Sequence, residues 1–312
     1  MIKLQTLCAE YAHENFWLAK KTLDTARNAT NHFTRVNGNL LLSQLKFQHF
    51  EKYKGSLLKW GLSKNTINMY LRALHKILSW AIKSEWIAEN PSNGVKQFRV
   101  TRKPIRYYED YEIERMLRYA PTPRWQGIIL VARATGLRRG EILNLTKYNV
   151  RKRYVYVEPK HNTITTWEWE AKDKELRKVP ITPELESFIL DLPCYYPFLT
   201  VRRYQDLMTR KTATEVLPEQ VRKTPDNNFR RTFLQIQMKA FGRQIGDFHS
   251  FRKTFTTAMC EELPDHFVMR LTGHNSLKTL THYQGSRESY YKIAREAALK
   301  GIKIGTPAIH KA

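Results

Sequence analysis

Cysteine is nearly absent from this chain of 312 residues, which holds only Cys8, Cys194 and Cys260. Three scattered thiols support neither a disulfide framework nor a zinc site, and each reads as a small buried or half-buried hydrophobe. Long apolar runs are missing too, and the first residues lack the pattern of a signal peptide. A soluble protein of the cytoplasm is expected, with no membrane partner. Acidic residues are the third shortage: 29 Asp and Glu stand against 53 Lys and Arg, a net charge of +24. Such an excess in a chain of otherwise globular composition points to a polyanion, and nucleic acid fits better than a membrane surface. The length suits two domains, each able to bury its own core.

What is present is concentrated between residues 249 and 283. This stretch carries His249, Arg252, His274 and Tyr283, with no carboxylate cage for a metal. His249 and Arg252 are three apart and share one face if the segment is helical. Phe251, Phe255, Met259, Phe267, Val268 and Leu271 are expected to supply the buried side. Gly273 should end the second of two helices and leave His274 on the following loop. Two imidazoles, a fixed cation and a phenol suit attack on a phosphodiester by a side-chain oxygen. Arginine offers phosphate a planar fork of donors, and a phenol of pKa ~10 becomes a nucleophile once a neighbour takes its proton or cations stabilise its anion. HxxR or GH alone also fits an ordinary basic helix or turn; all four residues in this order and spacing fit that reading poorly.

The arrangement resembles the tyrosine recombinase, or phage integrase, family. The family pattern of HxxR, an LxGH turn and a Tyr nine residues after that His is met by His249, Arg252, Leu271, Gly273, His274 and Tyr283. Thr272 stands before Gly273, where small or polar residues are usual. A second motif, ATGLRRGEILNLT, matches the family's first arginine signature and places its arginine at Arg138, with Glu141 as the supporting acid and Arg139 as the exposed alternative. Read without the family, the same residues are a helix start with an i, i+3 ion pair. The family also places a lysine on a hairpin, eight residues before a proline. Counting back from Pro180 gives Lys172, with Lys174 two residues further on as the runner-up; a solvated lysine-rich turn is the plainer reading.

The remaining chain is read around those motifs. Residues 1–98 are helical in pattern, with apolar spacing of three and four over Leu4 to Lys20 and Leu40 to Phe50. The clearest helix opens at Ser63 and runs through Ile67, Leu71, Leu74, Leu78 and Ala81. Its other face carries Lys64, Asn65, Asn68, Arg72, Lys76 and Lys83, and amides and arginine can read base edges while a merely solvated face would look similar. By resemblance residues 1–98 are a core-DNA-binding domain, and the further arm-binding domain of many phage integrases is expected to be absent. Residues 99–108 form a basic linker. Residues 109–286 would be the catalytic domain, with helices over Asp110 to Tyr119, Arg124 to Thr135 and Phe229 to Phe241. Three strands are expected at Tyr154 to Glu158, Thr163 to Glu170 and Arg177 to Ile181. Residues 287–312 would form a C-terminal helix and tail, docked in cis or on a neighbouring protomer.

The fold expected is mainly α with a small antiparallel β-sheet: a helical core-binding domain followed by a mixed α+β catalytic domain. By resemblance, Tyr283 attacks double-stranded DNA and forms a 3′-phosphotyrosine, aided by Arg138, Lys172, His249, Arg252 and His274. The reaction would need neither metal nor other cofactor, and a tetramer would act on two DNA sites of a phage or mobile element. A type IB topoisomerase-like strand transferase and a non-catalytic DNA-binding protein are the alternatives.

Overall fold

The computed structural model describes residues 2–101, 106–171, 176–214, 217–218, 221–222, 225–226, 228–274, 276 and 280. The chain divides into two compact units, Met1–Lys103 and Pro104–Ala312.

The first unit is helical: α1 (Leu4–Glu14), α2 (Lys20–Asn37), α3 (Phe47–Lys59) and α4 (Lys64–Lys83). Ser63 caps α4 by accepting the Thr66 amide at 3.1 Å, and Ile67, Leu71, Leu74, Ile77, Leu78 and Ala81 make its buried stripe. That stripe packs with Leu4, Leu7, Phe33, Phe50 and Tyr53 into one core. The sequence pattern runs α1 too long, ends α3 too early and passes over α2. The buried face of α2 is Ala26, Ala29, Thr30 and Phe33, and small or polar residues make a weak hydrophobic stripe although they fit a close helix contact. Asn68 departs from the outward face assigned to it. It is 5% exposed, donates to the Phe98 carbonyl at 2.8 Å and accepts the Phe98 amide at 2.9 Å. A carboxamide offers one donor side and one acceptor side, and here both hold the segment beyond α4. Lys64, Asn65, Arg72 and Lys76 remain exposed.

In the second unit, α5 (Asp110–Arg118), α6 (Pro123–Thr135) and the short α7 (Arg139–Leu143) lead into a three-stranded antiparallel sheet. Its strands are β1 (Val150–Arg151), β2 (Tyr154–Val157) and β3 (Arg177–Pro180), with Val155 paired to Val150 and to Val179. There follow α8 (Pro183–Asp191), α9 (Val201–Thr214), α10 (Phe229–Phe241), α11 (His249–Glu262) and α12 (Asp265–Thr272). Helix α6 lies at the centre, with Trp125, Ile128, Ile129, Val131 and Ala132 all buried. Phe251 of α11 joins the same core. Phe267, expected inside, is 48% exposed.

The sheet is real, but its third member differs from the expected one. Residues 163–170 form a loop with a single bridge, Lys160 to Trp169, and β1 takes the third place. The Thr163 hydroxyl accepts the Thr166 amide at 3.1 Å, a local turn that competes with a ladder. Trp167 and Trp169 alternate inward because each packs on the core. Strand β1 is joined to β2 through Lys152 and Arg153, both at positive φ, a hairpin turn usually signalled by Asn-Gly. Among the described residues, no helix is long and apolar enough to cross a membrane.

Candidate active site

Two turns are stitched together by the arginines that follow or face them. The first closes α6 at Gly136, whose φ of +61° is left-handed. A Cβ there would lie 2.4 Å from Phe255 Cδ1 of α11, so only glycine permits both the conformation and the approach. The buried carbonyl of Gly136 accepts Arg252 Nη1 at 3.0 Å. The second turn closes α12 at Gly273, again left-handed at +65°. Its carbonyl takes a long contact from Arg138 Nη2 at 3.4 Å, and the preceding Thr272 carbonyl accepts Arg252 Nη2. Arg252 thus bonds to both turns, and Arg138, which follows the first, reaches the second.

Arg138 sits immediately before α7. Its amide donates to Glu141 Oε2 at 2.8 Å, and its Nη1 donates to Oε1 at 3.0 Å. Glu141 is almost wholly buried, at 3% exposure. Arg177 of β3, which sequence reading did not single out, reaches Glu141 Oε2 at 2.5 Å. Burial pushes the Glu141 carboxyl up, but Arg177 and then Arg138 outweigh that push and hold it below the usual carboxylate range.

Arg252 is buried to 1%. His274 is nearly so at 9%, and its Nδ1 lies 2.8 Å from the Thr272 hydroxyl. Burial first, then Arg252, Arg138, His249 and Arg177, push the His274 imidazole down to about 3. His249 opens α11 and stays exposed; crowding by protein and then Arg252 lower its pKa. With Arg138, Arg139, Phe229, Gln244 and Phe248 it lines a cleft of about 380 Å³. Arg138, Glu141, Arg252 and His274 thus come together, and His249 shares the cleft with Arg138. Lys172, Lys174 and Tyr283 lie outside the described residues, as does the expected C-terminal helix. Among the described residues, no group of three or more His, Cys, Asp or Glu could hold a metal ion.

A further cluster braces α7 from behind. Asn144, just past the helix, donates to the Gly140 and Arg222 carbonyls, each at 2.8 Å. Its Oδ1 accepts Trp167 Nε1 at 2.9 Å, and its carbonyl accepts Lys160 Nζ. The Lys160 ammonium lies 4.7 Å from the Tyr196 ring centre and 5.2 Å from that of Trp169, and burial lowers its pKa to about 7. None of these residues carries a sequence signal; each gains its role from a partner at least sixteen positions away or from a loop that closes over α7.

The pattern of the phage integrase family matches residues 106–289, and that of the phage integrase SAM-like domain matches residues 4–100. The chain belongs to the phage integrase family. Among curated relatives of this integrase-family chain, a XerC-like tyrosine recombinase of Caldanaerobacter subterraneus subsp. tengcongensis is 26% identical over 259 residues, 76% of this chain and 66% of the relative. The ICEBs1 integrase of Bacillus subtilis is 26% identical over 113 residues, 36% of this chain and 31% of the relative. The chain thus spans just under two thirds of the one and about a third of the other. Among solved structures, the Tn1549 transposon integrase in complex with transposon right-end DNA superposes with a TM-score of 0.73 at 16% identity, covering 96% of this chain and 100% of that one. A lambda integrase tetramer bound to a Holliday junction gives 0.69 at 15% identity, covering 92% and 79%. At these identities the structures establish a common fold.

Proposed function

We propose that this protein is a site-specific DNA recombinase that cuts and rejoins duplex DNA through a 3′-phosphotyrosine. The observation that carries the proposal is the cross-bonding of the two turns, which sets Arg138, Arg252 and His274 around one space. A pentacoordinate phosphorus gathers negative charge on its non-bridging oxygens, and donors fixed in advance stabilise it without reorganising. Arg138 and Arg252 are such donors, and His274 joins them on the same oxygens once its imidazole carries a second proton. Glu141 orients Arg138. Tyr283 Oη attacks phosphorus, the P–O5′ bond breaks, and the 3′-phosphate stays on the protein. His249 helps take the phenol's proton, and Lys172 gives one to the departing 5′-oxygen. Energy kept in the protein–DNA ester lets a second 5′-hydroxyl reverse the step, so no nucleotide triphosphate is required. The excess of 53 basic over 29 acidic residues supports DNA as the partner. A tetramer on two sites would carry out complete exchange, as the lambda integrase assembly on a Holliday junction suggests by analogy.

The test is a labelled suicide substrate carrying the element's junction sequence, run on a denaturing gel. The natural protein should leave a covalent band; Tyr283→Phe should bind the site and leave none. A covalent band from Tyr283→Phe would place the nucleophile elsewhere. Relaxation of a supercoiled plasmid without any target site would favour a topoisomerase-like activity instead.

A further inference from the structure

We propose that Thr272 is a positioning residue that fixes the tautomer of His274, so that Nε2 is the nitrogen that exchanges a proton at the phosphate. The inference rests on the recombinase reading and adds a residue to it.

Thr272 ends α12 and is fully buried. Its hydroxyl has one hydrogen and two neighbours, the Val268 carbonyl at 2.7 Å and His274 Nδ1 at 2.8 Å. A carbonyl oxygen can only accept, so the hydroxyl hydrogen points to Val268. Oγ1 then faces the imidazole with a lone pair, and the hydrogen between them must belong to Nδ1. In the neutral ring this leaves Nε2 as an acceptor. Burial first, then the charges of Arg252 on α11 and Arg138 before α7, the His249 imidazole on α11 and Arg177 on β3, keep it neutral in the free protein.

Nδ1 carries a hydrogen in imidazole and in imidazolium alike, so the bond to Thr272 survives either state. Nε2 can gain and lose a proton with no rotation of the ring. A group that carries a proton to a non-bridging oxygen as charge builds there, and gives it up afterwards, needs that property. The same residue also receives Arg252 Nη2 on its backbone carbonyl, a contact that side-chain substitution leaves in place. Thr272→Val, of the same shape without the hydroxyl, therefore isolates the tautomer from the arginine.

Two measurements test this on the full chain. Nitrogen-15 NMR of histidine-labelled protein, with His274 assigned by its loss in His274→Gln, should show Nδ1 protonated and Nε2 bare. Thr272→Val should shift it toward the Nε2-protonated form, and Thr272→Ser should keep the natural pattern. On the suicide substrate, Thr272→Val should bind normally yet cleave roughly 30- to 100-fold more slowly, at or just below the ~10²-fold lower end for losing a proton-transfer group outright. The pH dependence of cleavage should move with it, and Thr272→Ser should recover most of the rate. An Nε2-protonated His274 in the natural protein, or a Thr272→Val rate equal to the natural one, would overturn the assignment. If the natural protein forms no covalent band, the recombinase reading fails, while the NMR result still decides the role of Thr272.

Discussion

Two buried polar clusters, one in each unit, solve the same problem with different chemistry. In the first unit, Asn68, Asn90 and Ser92 are buried, and their partners are backbone groups, hydroxyls and one imidazole. Asn68 ties to the Phe98 backbone, Asn90 Nδ2 donates to Ser79 Oγ at 3.0 Å, and Ser92 Oγ lies 2.9 Å from His75 Nδ1. In the second unit, Glu141, Arg177, Arg252 and His274 are buried with charges among them. Amides and hydroxyls fix a chain segment at low electrostatic cost. A buried ion cluster costs desolvation that its own attractions repay only with good geometry. The neutral cluster is what folding alone requires; the charged one leaves a positive field beside His274, which depresses its pKa. Fold and chemistry are separated in this molecule by the kind of polar group buried.

The charged cluster should suffer most from losing its carboxylate. Glu141→Gln keeps the shape and removes the charge that balances Arg138 and Arg177. Breaking a buried pair in this way should cost about 3–5 kcal/mol in urea unfolding. The acid limb tells the same story. Glu141 has a folded pKa below its unfolded one, so its contribution is present above the unfolded value, near 4.3, and lost as pH falls through the lower folded value. The variant should show a shallower loss of stability over that acid window. A cost below about 1 kcal/mol would put the Glu141 cluster on the footing of an exposed ion pair.

Replacing an arginine of the charged cluster should harm reaction more than folding. Arg252→Lys keeps a charge but gives up the fork that reaches the Gly136 and Thr272 carbonyls together. Suicide-substrate cleavage should fall about 10²- to 10³-fold, the scale of losing one fixed oxyanion donor, with site binding largely kept. A variant that cleaves at the natural rate would show that a point charge suffices at this position.

How much of this is legible in the sequence depends on whether a contact is local. The stripe of α4 and its Ser63 cap are legible because period and capping lie within one helix. The Arg138–Glu141 contact is legible at three residues' separation, and Gly273 announces the end of α12. Arg177, Lys160 and Asn144 are not, since a lysine-rich hairpin and an asparagine after a short helix look solvent-facing until distant partners arrive. Strand β1 hides behind the Lys152–Arg153 turn, which lacks the expected glycine. Residues 163–170 mislead in the opposite sense: their tryptophans alternate as a strand would, yet threonine hydroxyls satisfy the backbone locally.

Lys160 offers a smaller test, because it is a cation held in the second unit largely by carbonyl and aromatic groups. Its folded pKa, lowered to about 7, lies below the unfolded value near 10.4. Between those limits the unfolded chain binds the extra proton, so this residue makes stability rise with pH from about 7 toward 10. Lys160→Met should flatten that rise, by about 1–2 kcal/mol once solvent screening is allowed for. An unchanged slope in urea midpoints taken across that range would mean that the ammonium is solvated.

The smallest effect separates the neutral cluster of the first unit from the exposed face beside it. Lys76 is exposed on α4, and Asn68 on the same helix is spent inside. If Lys76 contacts a DNA phosphate, Lys76→Ala should lower the slope of log K against log salt by about 0.9. Its stability should stay within about 0.5 kcal/mol of the natural protein, as for most surface substitutions. Asn68→Ala should do the reverse. It strands the Phe98 amide and carbonyl and should cost about 1–3 kcal/mol, while the salt slope, which counts phosphates and not hydrogen bonds, stays where it was. A slope change in Asn68→Ala as large as that of Lys76→Ala would mean that the segment Asn68 holds carries phosphate contacts of its own. In that case the neutral cluster would serve DNA binding as directly as the charged face does.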